Sequence, residues 1–268
     1  MSSRPGRPTA ALLVPLLAAL LTLLVPQTGA AVAAEVRPLP AGVDVDYQLG
    51  GPVAPDERVG IVVRDRSVAP APGPGRYNVC YVNGFQTQPD ERRFWQARPG
   101  LLLRDDAGRP VVDEAWGEWL LDLRTAATRQ RLARIVDRWI RGCARAGYDA
   151  VELDNLDSFT RSGGLLRRPQ ALAYARLLVR AAHRAGLAVG QKNLAGLDGT
   201  RLGFDFAVAE ECGQYRECRA YTRFYGTQVI VVEYTGRGFR RACAEVGARV
   251  PVVRRDLAVS PGGIRRWC

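Results

Sequence analysis

Short apolar segments alternate with helix-like segments along most of this 268-residue chain, and that alternation limits the folds it can adopt. Eight of the segments have the length and the partly β-branched composition of strands buried in a parallel sheet. They are Val43–Leu49, Gly60–Val63, Tyr77–Val82, Ala150–Leu153, Leu187–Gln191, Phe204–Ala209, Val229–Val232 and Arg249–Val253. The pattern predicts an α/β fold, a single (β/α)₈ TIM barrel, with an open doubly wound sheet as the alternative.

Helical patterns occupy several of the stretches between these strands. Thr125–Ala146 begins at a threonine that can cap it, has apolar residues at helical spacing and ends before Gly147. Pro169–Ala185 has proline at its start and Gly186 just after its end, an arrangement typical of helices. Shorter helices are predicted at Arg219–Tyr225 and Phe239–Val246. Pro70–Gly75 is a predicted surface loop, and Phe85–Trp119 a long insertion that contains aromatic residues.

The first 34 residues have the pattern of a secretory signal peptide. Arg4 and Arg7 form a basic start, residues 9–26 are nearly all apolar, and Val32-Ala33-Ala34 supplies the small residues of a cleavage site. A membrane anchor is the alternative, because the apolar run is close to spanning length. The sequence therefore predicts a signal peptide at 1–34 and one domain at 35–268. It predicts a secreted protein with no stable membrane insertion after cleavage.

Six cysteines lie in the predicted domain, an even number that suggests up to three disulfides in an exported protein. Local spacing suggests the pairs Cys212–Cys218 and Cys243–Cys268, which leaves Cys80–Cys143, although other pairings stay open. The competing interpretation is a zinc site. No C-x-x-C occurs and His183 is the only histidine, so we predict no bound metal and no cofactor.

The formal net charge is +11, but the basic residues do not form a recognisable binding motif. All of the 38 basic residues except Lys192 are arginines, and they are scattered along the chain in singles and short pairs. No basic run is interleaved with aromatic residues, so we predict no nucleic-acid partner. A surface protein that binds polyanions stays as an alternative that rests on the charge alone. We expect a monomer.

Residues 147–157 contain more carboxyl groups than a buried strand normally tolerates. Because side chains alternate between the two faces of a strand, Glu152 and Asp154 share a face and point toward the barrel axis or its mouth. Carboxylates packed together raise one another's pKa, so a core does not normally hold them. At the C-terminal end of a barrel strand they indicate catalysis. A surface turn or a helix-cap cluster is the alternative.

Three further apolar strands end in polar residues, and in a barrel all of these would face one rim. The residues are Lys192-Asn193, Glu210-Glu211 and Glu233. Strand alternation allows only one of the two neighbouring glutamates to face inward. A compact ammonium at Lys192 would keep nearby carboxyl groups ionised and could position a hydroxyl. Chance retention of one lysine in an arginine-rich chain is the alternative.

Paired carboxylates in an exported barrel fit glycoside hydrolysis. One acid must protonate the leaving oxygen, and one carboxylate must attack or activate water. The single histidine argues against a Ser-His-Asp or Cys-His mechanism. Aromatic side chains that could stack on sugar rings are Tyr47, Tyr81, Phe85, Trp95, Trp116, Trp119, Tyr215 and Tyr234, although several of them can equally belong to the core.

Several segments of the predicted domain match a known family in order and spacing. They are Asp46–Leu49, Cys80–Asn83, Trp119–Arg124, Gly147–Asp157, Ala182–Asn193, Phe204–Cys212 with Cys218, and Val232–Tyr234. Through these segments the chain resembles glycoside hydrolase family 114, the endo-α-1,4-polygalactosaminidase-like barrels, over nearly all of the predicted domain. The resemblance implies a (β/α)₈ barrel that cleaves α-1,4-linked galactosamine polymers, partly or fully deacetylated. One departure is Asp44-Val45-Asp46, where an aromatic residue is common in the family, and it puts in doubt the sugar subsite nearest the first strand.

By that resemblance the catalytic pair is Asp154 and Glu210. We predict Asp154 as the nucleophile and Glu210 as the general acid/base, with the reverse order left open. The residues expected to bind substrate are Asp149, Glu152, Asn155, Lys192, Asn193, Glu233, Tyr81 and Gln48. A carboxyl separation near 5 Å would predict retention of anomeric configuration, and about 6.5–9.5 Å inversion.

The charge of the expected substrate predicts the charge of the cleft that binds it. A deacetylated galactosamine polymer is cationic, so a basic protein would repel it at long range, and acid groups at the mouth would attract it within a Debye length of about 8 Å. We therefore expect an acidic cleft on a basic body. A non-catalytic barrel that binds carbohydrate at the cell surface is the alternative function.

Overall fold

The computed structural model describes residues 1–3, 6 and 36–268. The predicted signal peptide therefore lies outside the described residues except at residues 1–3 and 6, and it stays a prediction. Residues 36–268 belong to one compact unit. Among the described residues, no helix combines the length and the hydropathy needed to cross a bilayer.

Eight parallel strands form the sheet of a (β/α)₈ barrel, and each of the eight predicted strands is present. The barrel strands are β1 Asp44–Gln48, β2 Val59–Asp65, β3 Tyr77–Asn83, β6 Ala150–Asp154, β7 Ala188–Lys192, β8 Phe206–Glu210, β9 Val229–Glu233 and β10 Val252–Arg255. The short strands β4 Val112–Asp113 and β5 Glu118–Trp119 form a hairpin in the insertion, and β11 Arg265–Trp267 pairs antiparallel with β10. The predicted barrel is therefore confirmed, with one additional strand in its sheet.

Within residues 36–268, α-helices follow four of the eight barrel strands, namely β3, β6, β8 and β9. The α-helices are α1 Arg92–Gln96, α2 Ala126–Ala146, α3 Arg168–Arg184, α4 Cys212–Tyr215, α5 Cys218–Tyr225 and α6 Gly236–Val246. The hydroxyl of Thr125 caps α2 and Gly147 ends it in the left-handed conformation, as the sequence predicts. No α-helix directly follows β1, β2, β7 or β10 in this range, so the βα alternation is incomplete at these four strands.

Side chains alternate along each strand between the barrel interior and the layer under the helices. On β6, Ala150 packs inside the barrel, whereas Val151 and Leu153 pack outward against the helices. At Gly190 on β7, a Cβ atom would lie 2.5 Å from the ring of Phe206. Glycine is needed there because the interior is filled by that ring. This alternation decides which strand residues can reach the mouth of the barrel.

A buried ion cluster lies where β1 and β10 meet and the barrel closes. Asp46 faces outward from β1, and its carboxylate accepts hydrogen bonds from Gln48 Nε2 at 2.6 Å, Arg265 Nε at 3.1 Å and Arg255 Nη1 at 3.4 Å. The indole nitrogen of Trp267 donates to the carbonyl of Val45 at 2.7 Å. The C-terminal segment is thereby attached to the first strand. Asp46 stabilises this closure and does not line the site.

Three disulfides crosslink the barrel domain, and their pairing confirms the one suggested by spacing. They are Cys80–Cys143, Cys212–Cys218 and Cys243–Cys268. The first joins β3 to α2, the second closes the loop between α4 and α5, and the third attaches the final residue to α6. A crosslink stabilises mainly by restricting the unfolded chain, and it does so more when it closes a longer loop.

The two extreme loops allow a direct test of that dependence. The variant with both Cys80→Ala and Cys143→Ala opens a 63-residue loop and should lose about 4 kcal/mol of unfolding free energy. The variant with Cys212→Ala and Cys218→Ala opens a 6-residue loop and should lose about 2 kcal/mol. Urea unfolding of both proteins measures the difference. Equal losses, or the opposite order, would contradict the loop-length account.

Candidate active site

Three neighbouring strands end in side chains that point to the same opening of the barrel. These side chains are Asp154 on β6, Lys192 on β7 and Glu210 on β8. Each lies an even number of residues after an interior residue of its own strand, so each faces inward. The parallel register brings the three strand ends together at the C-terminal face, where TIM barrels carry their active sites.

The chain turns away from the sheet immediately after each of these side chains. The next residue has a positive φ in every case: Asn155 at 65°, Asn193 at 51° and Glu211 at 58°. Asparagine tolerates this region better than most residues, but a glutamate there is strained. The turn also exposes only Glu210 of the glutamate pair to the barrel mouth, as strand alternation predicts.

The ammonium of Lys192 lies between three carboxyl groups. Its Nζ is 2.8 Å from Glu152 Oε1, 3.2 Å from Asp154 Oδ1 and 3.4 Å from Glu210 Oε2. It also donates to the hydroxyl of Tyr47 at 3.0 Å. Asp154 Oδ1 and Glu210 Oε2 both contact the nitrogen of Lys192. The distance between these two oxygens therefore cannot exceed the sum of their distances to that nitrogen, 3.2 Å and 3.4 Å. The two predicted catalytic residues therefore lie close together in the wall of one cavity.

Each of the three carboxyl groups also receives a tyrosine hydroxyl of its own. Tyr47 donates to Glu152 at 2.7 Å and Tyr81 donates to Asp154 at 2.6 Å. The third pair is Tyr234 and Glu210. Burial raises the pKa of each tyrosine well above its ordinary value, and the neighbouring carboxylate adds to the effect, so all three hydroxyls remain protonated donors.

Burial and the lysine charge divide the carboxyl groups into two kinds. Glu152 is completely buried, and burial raises its pKa to about 7 although Lys192 opposes the shift. Burial also acts on Asp154, but there the lysine charge and the Tyr81 hydroxyl outweigh it and lower the pKa. Burial acts to lower the pKa of Lys192, yet the three surrounding carboxyl groups raise it well above the ordinary value. Asp154 is thus an ionised carboxylate beside a permanent cation.

A cavity of about 350 Å³ opens above these groups. The charged side chains that line it are Asp113, Glu118, Asp154, Asp157, Glu210, Arg161 and Lys192. Carboxyl groups outnumber basic groups by five to two in this set, so the expected acidic mouth on a basic chain is confirmed. Trp116, with 56% of its surface exposed, stands at the rim and offers an aromatic face.

Most of the predicted site residues line this cavity. They are Asp154, Glu210, Asn155, Lys192, Asn193 and Tyr81. Asn193 is held beside Glu210, because its Oδ1 accepts the backbone N–H of Glu210 at 2.9 Å. Glu152 lies beneath the cavity, in contact with Lys192, and acts on the site through that lysine.

Three predicted residues lie elsewhere, and strand geometry explains each. Asp149 precedes β6 at the opposite end of the barrel, where it binds Arg37 at 2.9 Å. Gln48 occupies an outward position of β1 and accepts a hydrogen bond from Arg64 Nε at 2.9 Å. Glu233 also faces outward, under the loop after β8, where its carboxylate accepts the backbone N–H of Gly213 at 2.6 Å. The expectation that these three line the pocket is therefore not met.

Sequence reasoning missed Glu118 as a site residue. It is in β5 of the insertion, yet its side chain lines the cavity beside Asp154. The sequence suggests only a stacking role for Tyr47 and Tyr234, whereas in the structure they donate hydrogen bonds to Glu152 and Glu210. Their positions in segments that match the family could have indicated such a role. No periodic pattern in the insertion could have indicated Glu118.

Neither the histidine nor the cysteines form a reactive centre among the described residues. His183 lies on α3, where its Nε2 is 2.9 Å from Asp205 Oδ2, outside the cavity. Cys212, Cys218 and Glu233 are close enough to hold a metal ion. The two cysteines are joined in a disulfide, however, so they have no thiolates to offer. The titratable side chains that line the cavity are carboxyl groups, two tyrosines, Arg161 and Lys192.

A TIM barrel with two carboxyl groups facing one cavity at its C-terminal mouth is an arrangement typical of glycoside hydrolases. The model of glycoside-hydrolase family GH114 matches residues 26–268. The chain belongs to this family and is a glycoside hydrolase. No curated protein sequence matches it.

Several solved structures are similar to this barrel although their sequence identity to the chain is low, and this similarity supports the assigned fold. Aspergillus fumigatus Ega3, crystallised in complex with galactosamine, is 21% identical with a TM-score of 0.69, covering 87% of this chain and 98% of its own. The glycoside hydrolase domain of PelA from Pseudomonas aeruginosa is 17% identical with a TM-score of 0.54, covering 84% and 98%. The maltogenic α-amylase AmyB from Thermotoga neapolitana is 11% identical with a TM-score of 0.50, covering 79% and 67%.

Replacing Lys192 by methionine should shift the pH dependence of activity. Without the ammonium, the pKa of Asp154 rises, so the acidic limb of the pH–rate profile should move to higher pH. The carboxyl groups left behind would have raised pKa values in the folded state. The variant should therefore lose stability progressively as pH rises through those values.

The measurements are pH–rate profiles and melting temperatures between pH 4 and pH 9. Arg184→Met is a matched control, because this exposed arginine on α3 contacts Asp137 at 3.6 Å, away from the cavity. An unshifted acidic limb in Lys192→Met would contradict the role assigned to the ammonium.

Proposed function

We propose that this protein is a secreted endo-acting hydrolase of α-1,4-linked galactosamine polymers that works with two carboxyl groups. The observation that carries the proposal is the position of Asp154 and Glu210 in one cavity, both within 3.4 Å of the same lysine nitrogen. The substrate class is supported by family membership and by Ega3, whose crystal contains galactosamine.

Asp154 is the proposed nucleophile. Its pKa is lowered by Lys192 and Tyr81, so it is ionised over the pH range in which most secreted enzymes act. Tyr81 and Lys192 also fix its orientation, because they occupy different oxygens of the carboxylate. A side chain that is ionised and held in this way can attack an anomeric carbon with little reorganisation.

Glu210 is the proposed general acid/base. It is more exposed than the other two carboxyl groups, with 23% of its side chain open against 16% for Asp154 and none for Glu152. That exposure suits a group that must meet the leaving oxygen and later water. In the first step Asp154 would form the glycosyl bond while the proton of Glu210 goes to the departing sugar. In the second step Glu210 would take a proton from water as water displaces Asp154.

The charge of the cavity supports a cationic polymer as substrate. The excess of carboxyl groups at the mouth would attract the ammonium groups of a deacetylated chain over a distance of about 8 Å. Trp116 at the rim would supply an apolar face for a sugar ring outside the reacting subsite.

Secretion is supported by two independent features of the chain. Residues 1–34 have the basic start, apolar run and small-residue end of a signal peptide. The six cysteines form three disulfides, which persist in oxidising compartments and are rare in the cytosol.

Replacing Asp154 by asparagine should abolish hydrolysis while the protein stays folded. The loss of kcat should be at least about a thousandfold, because the neutral amide of asparagine cannot act as a carboxylate nucleophile. Asp149→Asn is the matched control, since it makes the same change at the other end of the same strand. The measurement is release of reducing ends from partly deacetylated α-1,4-polygalactosamine. Near-normal activity of Asp154→Asn would sink the assigned role.

The stereochemistry of hydrolysis gives a second test of the same arrangement. Asp154 Oδ1 and Glu210 Oε2 lie 3.2 Å and 3.4 Å from the same nitrogen of Lys192, so the two carboxyl groups are close together. A short separation favours the retaining mechanism, in which the carboxyl groups are about 5–5.5 Å apart, over the inverting mechanism, in which they are about 6.5–9.5 Å apart. The first product released from an α-linked substrate should therefore be the α-anomer. Time-resolved proton NMR of the anomeric signals distinguishes the two outcomes, and an initial β-anomer would exclude the proposed nucleophile.

A further inference from the structure

Glu118 is a carboxyl group in the wall of the active-site cavity that the two-carboxylate mechanism does not use. It belongs to β5 of the 85–119 insertion, and only 8% of its surface is exposed. It lines the same cavity as Asp154, Lys192 and Glu210. A carboxyl group is costly to bury, so its presence at this position requires a physical reason.

Two side-chain amides hold one oxygen of this carboxyl group in place. Its Oε2 accepts a hydrogen bond from Asn83 Nδ2 at 2.9 Å and another from Asn155 Nδ2 at 3.2 Å. Asn83 is paired in register with Asp154 across β3 and β6, and Asn155 follows Asp154 in the chain. Glu118 is therefore fixed relative to the proposed nucleophile, although it lies on a different part of the chain.

The donors themselves are also fixed. Asn83 Oδ1 accepts the backbone N–H of Gln86 at 3.0 Å, which turns its amide nitrogen toward Glu118. Asn155 Oδ1 accepts from Arg161 Nη2 at 2.9 Å, with the same effect on its own amide. The network determines which oxygen of Glu118 is bound and which faces away.

The second oxygen of Glu118 is left available to a ligand. Among the described residues, none donates a hydrogen bond to Oε1, and this oxygen is not one of the fully buried atoms. Since the side chain lines the cavity, its remaining exposure is to that space.

The basic groups of the cavity are occupied by other carboxylates. Arg161 binds Asp113 at 2.7 Å and Asp157 at 3.0 Å. Lys192 is shared among the three carboxyl groups at the strand ends. Within residues 36–268, no lysine or arginine nitrogen lies within 4.0 Å of the Glu118 carboxylate. Glu118 is therefore the one carboxyl group in the wall of the cavity that neither Arg161 nor Lys192 contacts among the described residues.

Burial raises the pKa of Glu118 to about 7, and the negative charge of Asp154 adds to the effect although the Asn83 amide opposes it. Without a cation the group is thus easily protonated near neutral pH. An ammonium ligand would favour the ionised form and gain a charge-assisted hydrogen bond in a partly desolvated space. A neutral acetamido group would gain no such charge interaction.

We propose that Glu118 binds the protonated 2-amino group of a galactosamine unit next to Asp154, and that it thereby selects deacetylated over acetylated sugar. This inference depends on the proposed function in one respect, which is that the ligand is an amino sugar. Asn83 and Asn155 position the carboxylate for this contact.

The test measures binding separately from hydrolysis. Calorimetric titrations at pH 7.5 use two probes, an α-1,4-linked galactosamine tetramer and its fully N-acetylated counterpart, with Asp154→Asn as the background so that neither is consumed. Adding Glu118→Gln should weaken binding of the galactosamine tetramer about ten- to a hundredfold, and change binding of the acetylated tetramer by less than about threefold. Glutamine keeps the size of the side chain, and its carbonyl can still accept both asparagine amides.

Glu114→Gln in the same background is the matched control, because Glu114 is exposed in the turn of the same hairpin and does not line the cavity. It should leave both affinities unchanged. The proposal is overturned if the Asp154→Asn protein does not prefer the galactosamine tetramer, or if Glu118→Gln retains that preference. It is also overturned if Glu118→Gln weakens both probes equally.

Hydrolysis by the protein with Asp154 intact reports on the proposed function separately. A wild-type protein that binds the tetramer selectively and does not cleave it would contradict the proposed function and leave the ammonium site standing. Conversely, Glu118→Gln in the wild-type background should raise KM for the deacetylated polymer more than it lowers kcat.

Discussion

The ammonium of Lys192 makes it possible for three carboxyl groups to converge at the end of a barrel core. Removing each of these charges from water costs several kcal/mol, and carboxylates packed together would raise one another's pKa until they were protonated. One buried cation within 3.4 Å of all three opposes that tendency, and it connects β6, β7 and β8. Its hydrogen bond to Tyr47 extends the connection to β1. An arginine could not replace it easily, because a planar guanidinium lacks the compact charge that three converging oxygens require.

Much of the fold could be predicted because the apolar composition of a barrel strand shows that it is buried on both faces. Strands buried on both sides are apolar at consecutive positions, so the segments from Val229 or Phe206 onward are recognisable without knowledge of their neighbours. The same reasoning located Asp154, Lys192 and Glu210, since polar residues at the carboxyl ends of parallel strands must meet at one rim. The single lysine in an arginine-rich chain was an additional signal, and it marked the centre of the site.

The errors have a common physical origin in strand register and chain path. Asp149 is only five residues before Asp154, but a strand of that length spans the barrel wall and carries it to the opposite face. Gln48 and Glu233 end their strands on outward positions, which cannot be known until an inward residue of each strand is identified. Glu118 depends on the path of a long insertion, and side-chain hydrogen bonds to Asn83 and Asn155 determine that contact. No local pattern encodes it.

Burial explains how carboxyl groups with similar partners can hold different amounts of charge. Glu152, Asp154 and Glu210 each accept one tyrosine hydroxyl and each touch the same ammonium, so their inventories of partners are alike. What differs is burial, because Glu152 is completely enclosed and has a buried Oε2 with no partner among the described residues. Protonation of Glu152, whose pKa is about 7, would leave the lysine charge to the two carboxyl groups that face the cavity. The protonation state of Glu152, which the barrel core encloses, thus determines how strongly the charge of Lys192 acts on the proposed nucleophile Asp154.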